Sequence, residues 1–270
     1  MADHAHNLRA DAVAGRPFGV ITRGTTNHNR LRRCDRWMAY HPQISSLLRT
    51  TAQPVALDVG YGASYTTTVE WARWLRTVNP DVRVTGLEIN PERVLPPREG
   101  VRFELGGFEL RGYHPQLVRA FNVLRQYDVD QVPAAWESVC SRLAPGGFFI
   151  EGTCDELGRR STWILLNAQG PQTLTLAWDP FDVDTPSQLA ERLPKALIHR
   201  NVPGEPIYDL LQAADQAWAH TAGWAPYGPR VRWREARQLM IDQGIPLHPI
   251  RRRIRDCVLT VDWDVVAPAV

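Results

Sequence analysis

The chain has 270 residues, 44% of them hydrophobic, enough for one sizeable core and short for two catalytic domains. Lys and Arg total 31 against 29 Asp and Glu, a net charge of +2, so no whole-molecule field points to nucleic acid or anionic lipid. No apolar run approaches the roughly 20 residues of a membrane helix, and MADHAHNLRADAVAG lacks the apolar core of a secretory signal, so a cytoplasmic protein is expected.

Three zones follow in chain order. Residues 1–53 read as an N-terminal arm or cap: a polar start, the run GVITRGTTNHN, and a basic amphipathic stretch, RLRRCDRWMAYHPQISSLL, broken at Pro42. Residues 54–179 read as an α/β core. There PVALDVG, RVTGLEI, VRFELG, QLVRAFN and GGFFIEGTC are strands, SYTTTVEWARWLRTV and VPAAWESVCSRL are helices, and PERVLPP is a short helix. Alternation of this kind predicts a Rossmann-like, doubly wound, mostly parallel sheet of about seven strands with helices on both faces. STWILLN and TLTLAWD form a hairpin across AQGPQ, with no helix visible between the fifth and sixth strands. Residues 180–270 read as a helical lid segment, from PSQLAERLPKALI, PIYDLLQAADQAWAHTAG and RWREARQLMIDQG, followed by a final strand at CVLTVDWDVV. All three zones form a single domain.

Four cysteines stand far apart without a C-x-x-C pair, which fits reduced structural thiols. The eight histidines show no H-x-x-x-H or mixed Cys/His spacing, and no metal is expected.

The stretch DVGYGAS carries the chemistry. A strand stops, Gly60 and Gly62 let backbone approach a ligand without a Cβ between, and the N-terminus of the next helix points its unpaired N–H groups at the same place. The dinucleotide fingerprint requires glycine where Tyr65 stands, and no Gly-Lys-Ser/Thr follows, so phosphate cradles are disfavoured. Asp58, two positions before Gly60, has the wrong charge for phosphate but suits an ammonium. At the end of the second strand Glu88 can accept from both hydroxyls of a ribose. Such a ligand carries a ribose and a positive group.

With these residues the sequence resembles the class I S-adenosylmethionine-dependent methyltransferases over residues 54 to about 152. Asp58, Gly60 and Gly62 match that family's first-strand motif, with Tyr61 between the glycines and Ser64 at its third glycine. Glu88 matches the acidic residue that takes the ribose, and Ile89 the apolar residue that packs on the adenine. Gly107 and Phe108 match the positions flanking the adenine edge, while the acidic residue often found there is missing unless Glu109 serves. LVRAFNVL and LAPGGFFIEG match the fourth-strand motif and the turn into the fifth.

The resemblance implies S-adenosyl-L-methionine as cofactor and methyl transfer by in-line displacement. Arg119 and Asn122, at the end of the fourth strand, are the polar candidates near the methyl group, with Arg119 also a candidate for binding the cofactor. A structural reading stays open for both, an ion pair for Arg119 and a turn cap for Asn122. Thr22, Arg23, Thr25, Thr26 and Asn27 of the arm are candidates to close over the mouth and read a polar substrate, unless they form a solvated loop. The Asn/Asp-Pro-Pro-aromatic motif of enzymes that methylate base amino groups is absent, so a small-molecule acceptor is expected before a nucleic acid. The alternative is a non-catalytic cofactor-binding or interaction protein on the same fold, without transfer. An aminopropyl transferase lacks its paired acidic signature, and a nicotinamide oxidoreductase is opposed by Tyr65 and Asp58.

Overall fold

The computed structural model describes residues 26–250 and 256–268. Pro42 divides the basic stretch into two helices, α1 (Arg32–Tyr40) and α2 (Pro42–Thr50). Proline has no N–H to donate and occupies the first turn of α2, where none is needed, while His41 caps that turn by accepting from the Ile44 amide.

The core follows as β1 (Val55–Val59), α3 (Thr66–Arg76), β2 (Arg83–Glu88), β3 (Val101–Leu105), β4 (Leu117–Phe121), α4 (Val132–Cys140) and β5 (Phe148–Cys154). PERVLPP supplies only a single 3-10 turn, Pro91–Arg93. The remainder comprises β6 (Arg160–Asn167), β7 (Gly170–Trp178), α5 (Lys195–Ile198), α6 (Pro206–His220), α7 (Pro229–Asp242) and β8 (Cys257–Asp262). PSQLAERLPKALI is a 3-10 helix, Pro186–Arg192, and then α5, because Pro194 stands between them and cannot continue a helix.

Among the described residues the strands form one eight-stranded sheet in the order β3-β2-β1-β4-β5-β6-β7-β8. β1 to β5 are parallel, and β6, β7 and β8 are joined antiparallel to β5 and to one another. The first five strands therefore wind outward in both directions from β1, and β1 and β4 flank the topological switch point. The chain turns directly from β5 into β6 because Asp155 closes the loop, its carboxylate accepting from the Arg159 and Arg160 amides. The sheet thus has the expected parallel core and carries three antiparallel strands along one edge.

Helices cover both faces. Trp37, Met38, Ile44, Leu48, Trp71 and Leu75 from α1, α2 and α3 meet Ala56, Phe121 and Ile150 on one side. On the other, α4, α6 and α7 bury Val139, Leu210, Trp218, Trp233 and Met240 against Val118, Phe149, Leu176 and Leu259. The segment expected as a lid is mainly this second layer, because α6 and α7 each present an apolar stripe to the sheet. Trp178, Trp218 and Trp233 pack there as a cluster with edge-to-face and tilted rings. The four cysteines are buried and unbridged. No helix among the described residues is long and apolar enough to cross a membrane.

A carboxylate is also buried in the middle of the sheet. Glu151, on β5 between Ala120 of β4 and Ile164 of β6, is 1% exposed, and neither carboxylate oxygen has a hydrogen-bond partner among the described residues. Burial pushes its carboxyl up to about 8. The folded protein thus holds a proton that the unfolded chain releases near pH 4, so Glu151 disfavours folding increasingly as pH rises from about 4 toward 8, by at most about 1.4 kcal/mol per pH unit. Urea unfolding between pH 5 and 8.5 should show the parent losing stability relative to Glu151→Gln as pH rises. Parallel stability–pH curves for the two proteins would contradict a neutral buried Glu151.

Candidate functional site

At the carboxyl ends of β1, β4 and β5 lies a cavity of about 350 Å³, lined in part by Asp58, Gly60, Gly62, Thr67, Asn122 and Cys154. Its floor is the turn after β1. Gly60 (φ +70°) and Gly62 (φ +82°) take left-handed backbone, and a Cβ on Gly60 would lie 2.7 Å from a Val123 methyl. Ser64, at the family's third glycine, accepts from the Thr66 amide at 3.3 Å and so helps to begin α3. Tyr61 turns its ring into the core, edge-on to Phe103 over Gly86, where no side chain stands in its way. Its hydroxyl donates to the Arg93 carbonyl at 2.8 Å and accepts from the Leu95 amide, which ties down the loop after β2. Burial pushes the phenol up to about 12.

Beneath the floor is a buried ionic node. Asp58 and Arg119 face each other in register on neighbouring parallel strands. Arg119 Nε and Nη2 donate to the two Asp58 oxygens at 2.9 and 2.6 Å, Nη1 donates to Asp35 of α1 at 2.5 Å, and Nη2 also reaches the Thr67 carbonyl. Thr68 adds a hydroxyl to Asp58 at 2.8 Å, and the guanidinium stacks over Trp71. Arg119 is 0% exposed. The rim position near a methyl group is therefore corrected: Arg119 lies under the site, because a strand flanked on both sides buries every residue and its charge must be matched there. Burial pushes the Asp35 carboxyl up to about 7 against the pull of Arg119, with the Asp58 charge adding to the rise, while burial opposes and the two acids more than restore the charged form of Arg119, raising it above its usual value.

Asn122 lines the cavity in left-handed backbone (φ +59°), which asparagine tolerates. Its Oδ1 accepts from the Cys154 amide at 3.0 Å and its Nδ2 donates to the Cys154 sulfur, so it bridges the ends of β4 and β5. Glu88 is 1% exposed, with Oε2 accepting from the Gly62 amide at 3.0 Å and Oε1 from the Asn90 amide at 3.1 Å. Glu88, Ile89, Gly107 and Phe108 are not among the residues lining the cavity. The Phe108 ring is in the core, edge-on to Tyr127, and the Gly107 amide donates to Glu109.

Of the arm, Thr22, Arg23 and Thr25 lie outside the described residues, while Thr26 lines the cavity. Asn27, Arg30, Arg32 and Arg33 donate to the carbonyls of Glu156, Asp155, Leu157 and Gly158, so the arm is laced along the β5–β6 turn. Arg33 is anchored further by Asp179 at 3.0 Å and Asp256 at 3.2 Å. Arg30, Arg125, Glu156 and Arg192 also line the cavity and were not singled out from the sequence. Arg125, three residues past Asn122, was legible from its nearness to the end of β4. Arg192 was not, since it arrives from a segment beyond β7.

No family model and no curated protein matches the sequence. Solved structures align over part of it. The CcbJ methyltransferase from Streptomyces caelestis matches with TM-score 0.33 and 19% identity, over 54% of this chain and 65% of that one. Human N-acetylserotonin methyltransferase, in complex with SAM, matches with TM-score 0.30 and 20% identity, over 46% and 40%. The sugar N-methyltransferase KedS8 from Streptoalloteichus sp. matches with TM-score 0.35 and 14% identity, over 61% and 75%. The chain spans less than two thirds of the length of the first two. Likeness of this size does not extend to ligand or reaction, and the chemistry of the site rests on its own residues.

Removing the cation of the node leaves Asp35 and Asp58 buried without it. Arg119→Leu should destabilise the protein by about 3 to 5 kcal/mol in urea unfolding. A loss below about 1 kcal/mol would show that the node does not hold the floor.

Proposed function

We propose that this protein is an S-adenosylmethionine-dependent methyltransferase acting on a small molecule. The observation that carries the reading is a cavity at the β1/β4 switch point whose glycine floor is bonded directly to the acid ending β2. Open parallel sheets bind ligands at that point, and the link from Gly62 to Glu88 joins the two places that a ligand with an amino-acid end and a ribose would touch.

The donors and acceptors present fit such a cofactor. A carboxylate offers about four lone-pair sites, and Glu88 uses one on each oxygen for Gly62 and Asn90, which leaves acceptors for two ribose hydroxyls. Glycine at 60 and 62 admits the amino-acid end close to backbone, and Asp58 at the cavity wall, charge-balanced from below by Arg119, gives the ammonium a fixed acceptor environment. Ile89, half-buried beside Glu88, and the backbone at Gly107 and Phe108 are the proposed adenine contacts, in keeping with the family resemblance. When bound, S-adenosylmethionine supplies a sulfonium methyl whose departure leaves a neutral thioether.

What the chain contributes is alignment and exclusion of water. The node fixes the floor, Asn122 locks the ends of β4 and β5 together, and the arm segment around Thr26 and Arg30 forms a wall laced to the β5–β6 turn. A base is needed only for an acceptor that starts protonated. The second reading, cofactor binding without transfer, is favoured by the commitment of Asn122 to Cys154 and of Arg119 to its carboxylates, which leaves neither expected residue to act on a substrate.

Calorimetry should give saturable binding of S-adenosylhomocysteine and none of NAD. Glu88→Ala should stay folded and lose about 1 to 3 kcal/mol of that affinity, since it removes a charge-assisted acceptor. Binding of NAD alone would sink the reading, and unchanged affinity in the variant would leave Glu88 as a turn cap.

A further inference from the structure

Three guanidiniums, those of Arg30, Arg125 and Arg192, line the cavity. Asp58 is already matched by Arg119, so the carboxylate opposing them within the lining is that of Glu156, whose side chain is 66% exposed. Two of the three are anchored, Arg125 through its guanidinium and Arg192 through its carbonyl. Arg125 follows the end of β4, and its Nη1 donates to the Glu191 carbonyl at 3.1 Å. Arg192 ends the 3-10 helix Pro186–Arg192, and its carbonyl accepts from the buried hydroxyls of Thr153 and Thr162 on β5 and β6. These anchors bring like charges together: Arg192 is the second force, after burial, that lowers the Arg125 pKa. Arg192 Nε is buried without a hydrogen-bond partner, with Glu191 Oε1 at 3.6 Å, and Nη2 is 3.7 Å from Glu156. A cluster of fixed cations, one with a buried unpaired N–H, is satisfied by an anion that enters between them.

We propose that this end of the cavity is an acid-recognition subsite, in which Arg125 and Arg192, with Arg30 at the β5–β6 turn, bind a carboxylate or phosphate carried by the methyl acceptor. On the methyl-transfer reading, which this inference rests on and deepens, the acceptor is a small organic acid or phosphate ester. The order of strands separates this anion from the cofactor. Glu88 and Gly62 end β2 and enter the turn after β1, whereas Arg125 follows β4 and Arg192 is fastened to β5 and β6. Neighbouring strands lie about 4.8 Å apart, so β5 stands about 10 Å from β1, on the side away from β2. The acid is then a handle that orients the acceptor, with its reacting atom nearer β1.

Inorganic phosphate serves as probe, titrated by calorimetry into the parent protein with and without saturating S-adenosylhomocysteine, and into Arg125→Gln, Arg192→Gln and the exposed control Arg234→Gln. Phosphate should bind the S-adenosylhomocysteine-loaded parent and the control, and bind either cavity variant about tenfold or more weakly, with S-adenosylhomocysteine affinity unchanged. Arg125→Lys and Arg192→Lys should recover part of the binding, which separates lost charge from lost fold. If both Gln variants lose S-adenosylhomocysteine as strongly as phosphate, the arginines hold the cofactor's own carboxylate and the acceptor assignment is wrong. Exclusion of phosphate by bound S-adenosylhomocysteine, or phosphate binding indifferent to both substitutions, would also overturn it. Phosphate binding that depends on the arginines, in a protein that takes no S-adenosylhomocysteine, would keep the anion subsite and sink methyl transfer.

Discussion

The Arg119 guanidinium is charged at every pH the folded protein meets and has no access to water, so the structure around it must supply its partners. Asp58 comes from β1, Asp35 from α1, the Thr67 carbonyl and the Trp71 ring from α3. Four elements are thereby fixed to one point beneath the turn that the candidate site uses as its floor. A hydrophobic residue at 119 would pack with less desolvation cost but would specify none of these neighbours. The gain from the ion cluster is geometric: the α3 N-terminus, the end of β1 and helix α1 are held in one arrangement.

The walls of the cavity are built by a different device. The segment from Asn27 to Arg33 follows the β5–β6 turn carbonyl by carbonyl, so distant parts of the chain form one surface. The Arg192 carbonyl is gripped by two threonine hydroxyls, which brings a segment from beyond β7 back to the end of β5 and the start of β6. A site on strand ends thus gains its chemistry from connections, while the sheet supplies only position.

This division explains what the sequence made legible. The parallel core, the turn Asp58-Val59-Gly60-Tyr61-Gly62 and the acid at Glu88 were readable because local periodicity and turn chemistry determine them. Arg119 was found and misplaced. LVRAF and VALDV each carry one charge within a buried strand, and aligning the two as neighbours would have paired them, but register is a tertiary fact. The antiparallel β6 and β7 were visible as a hairpin, whereas their pairing with β5 and β8 was not. The apolar stripes of α6 and α7 showed that they bury one face without showing which surface covers it, and that surface is the sheet. Arg125 and Arg192 have no shared local signal, since their proximity depends on the fold of everything between them.

On the methyl-transfer reading, the turn after β1 and the acid ending β2 receive a nucleoside while the node stays intact. A crystal structure with S-adenosylhomocysteine tests this directly. It should show ribose hydroxyls on the Glu88 carboxylate, the amino-acid end over Gly60 and Gly62, and Arg119 still paired with Asp58. A ligand bound elsewhere, or one that reaches the floor only by separating Arg119 from Asp58, would contradict the account.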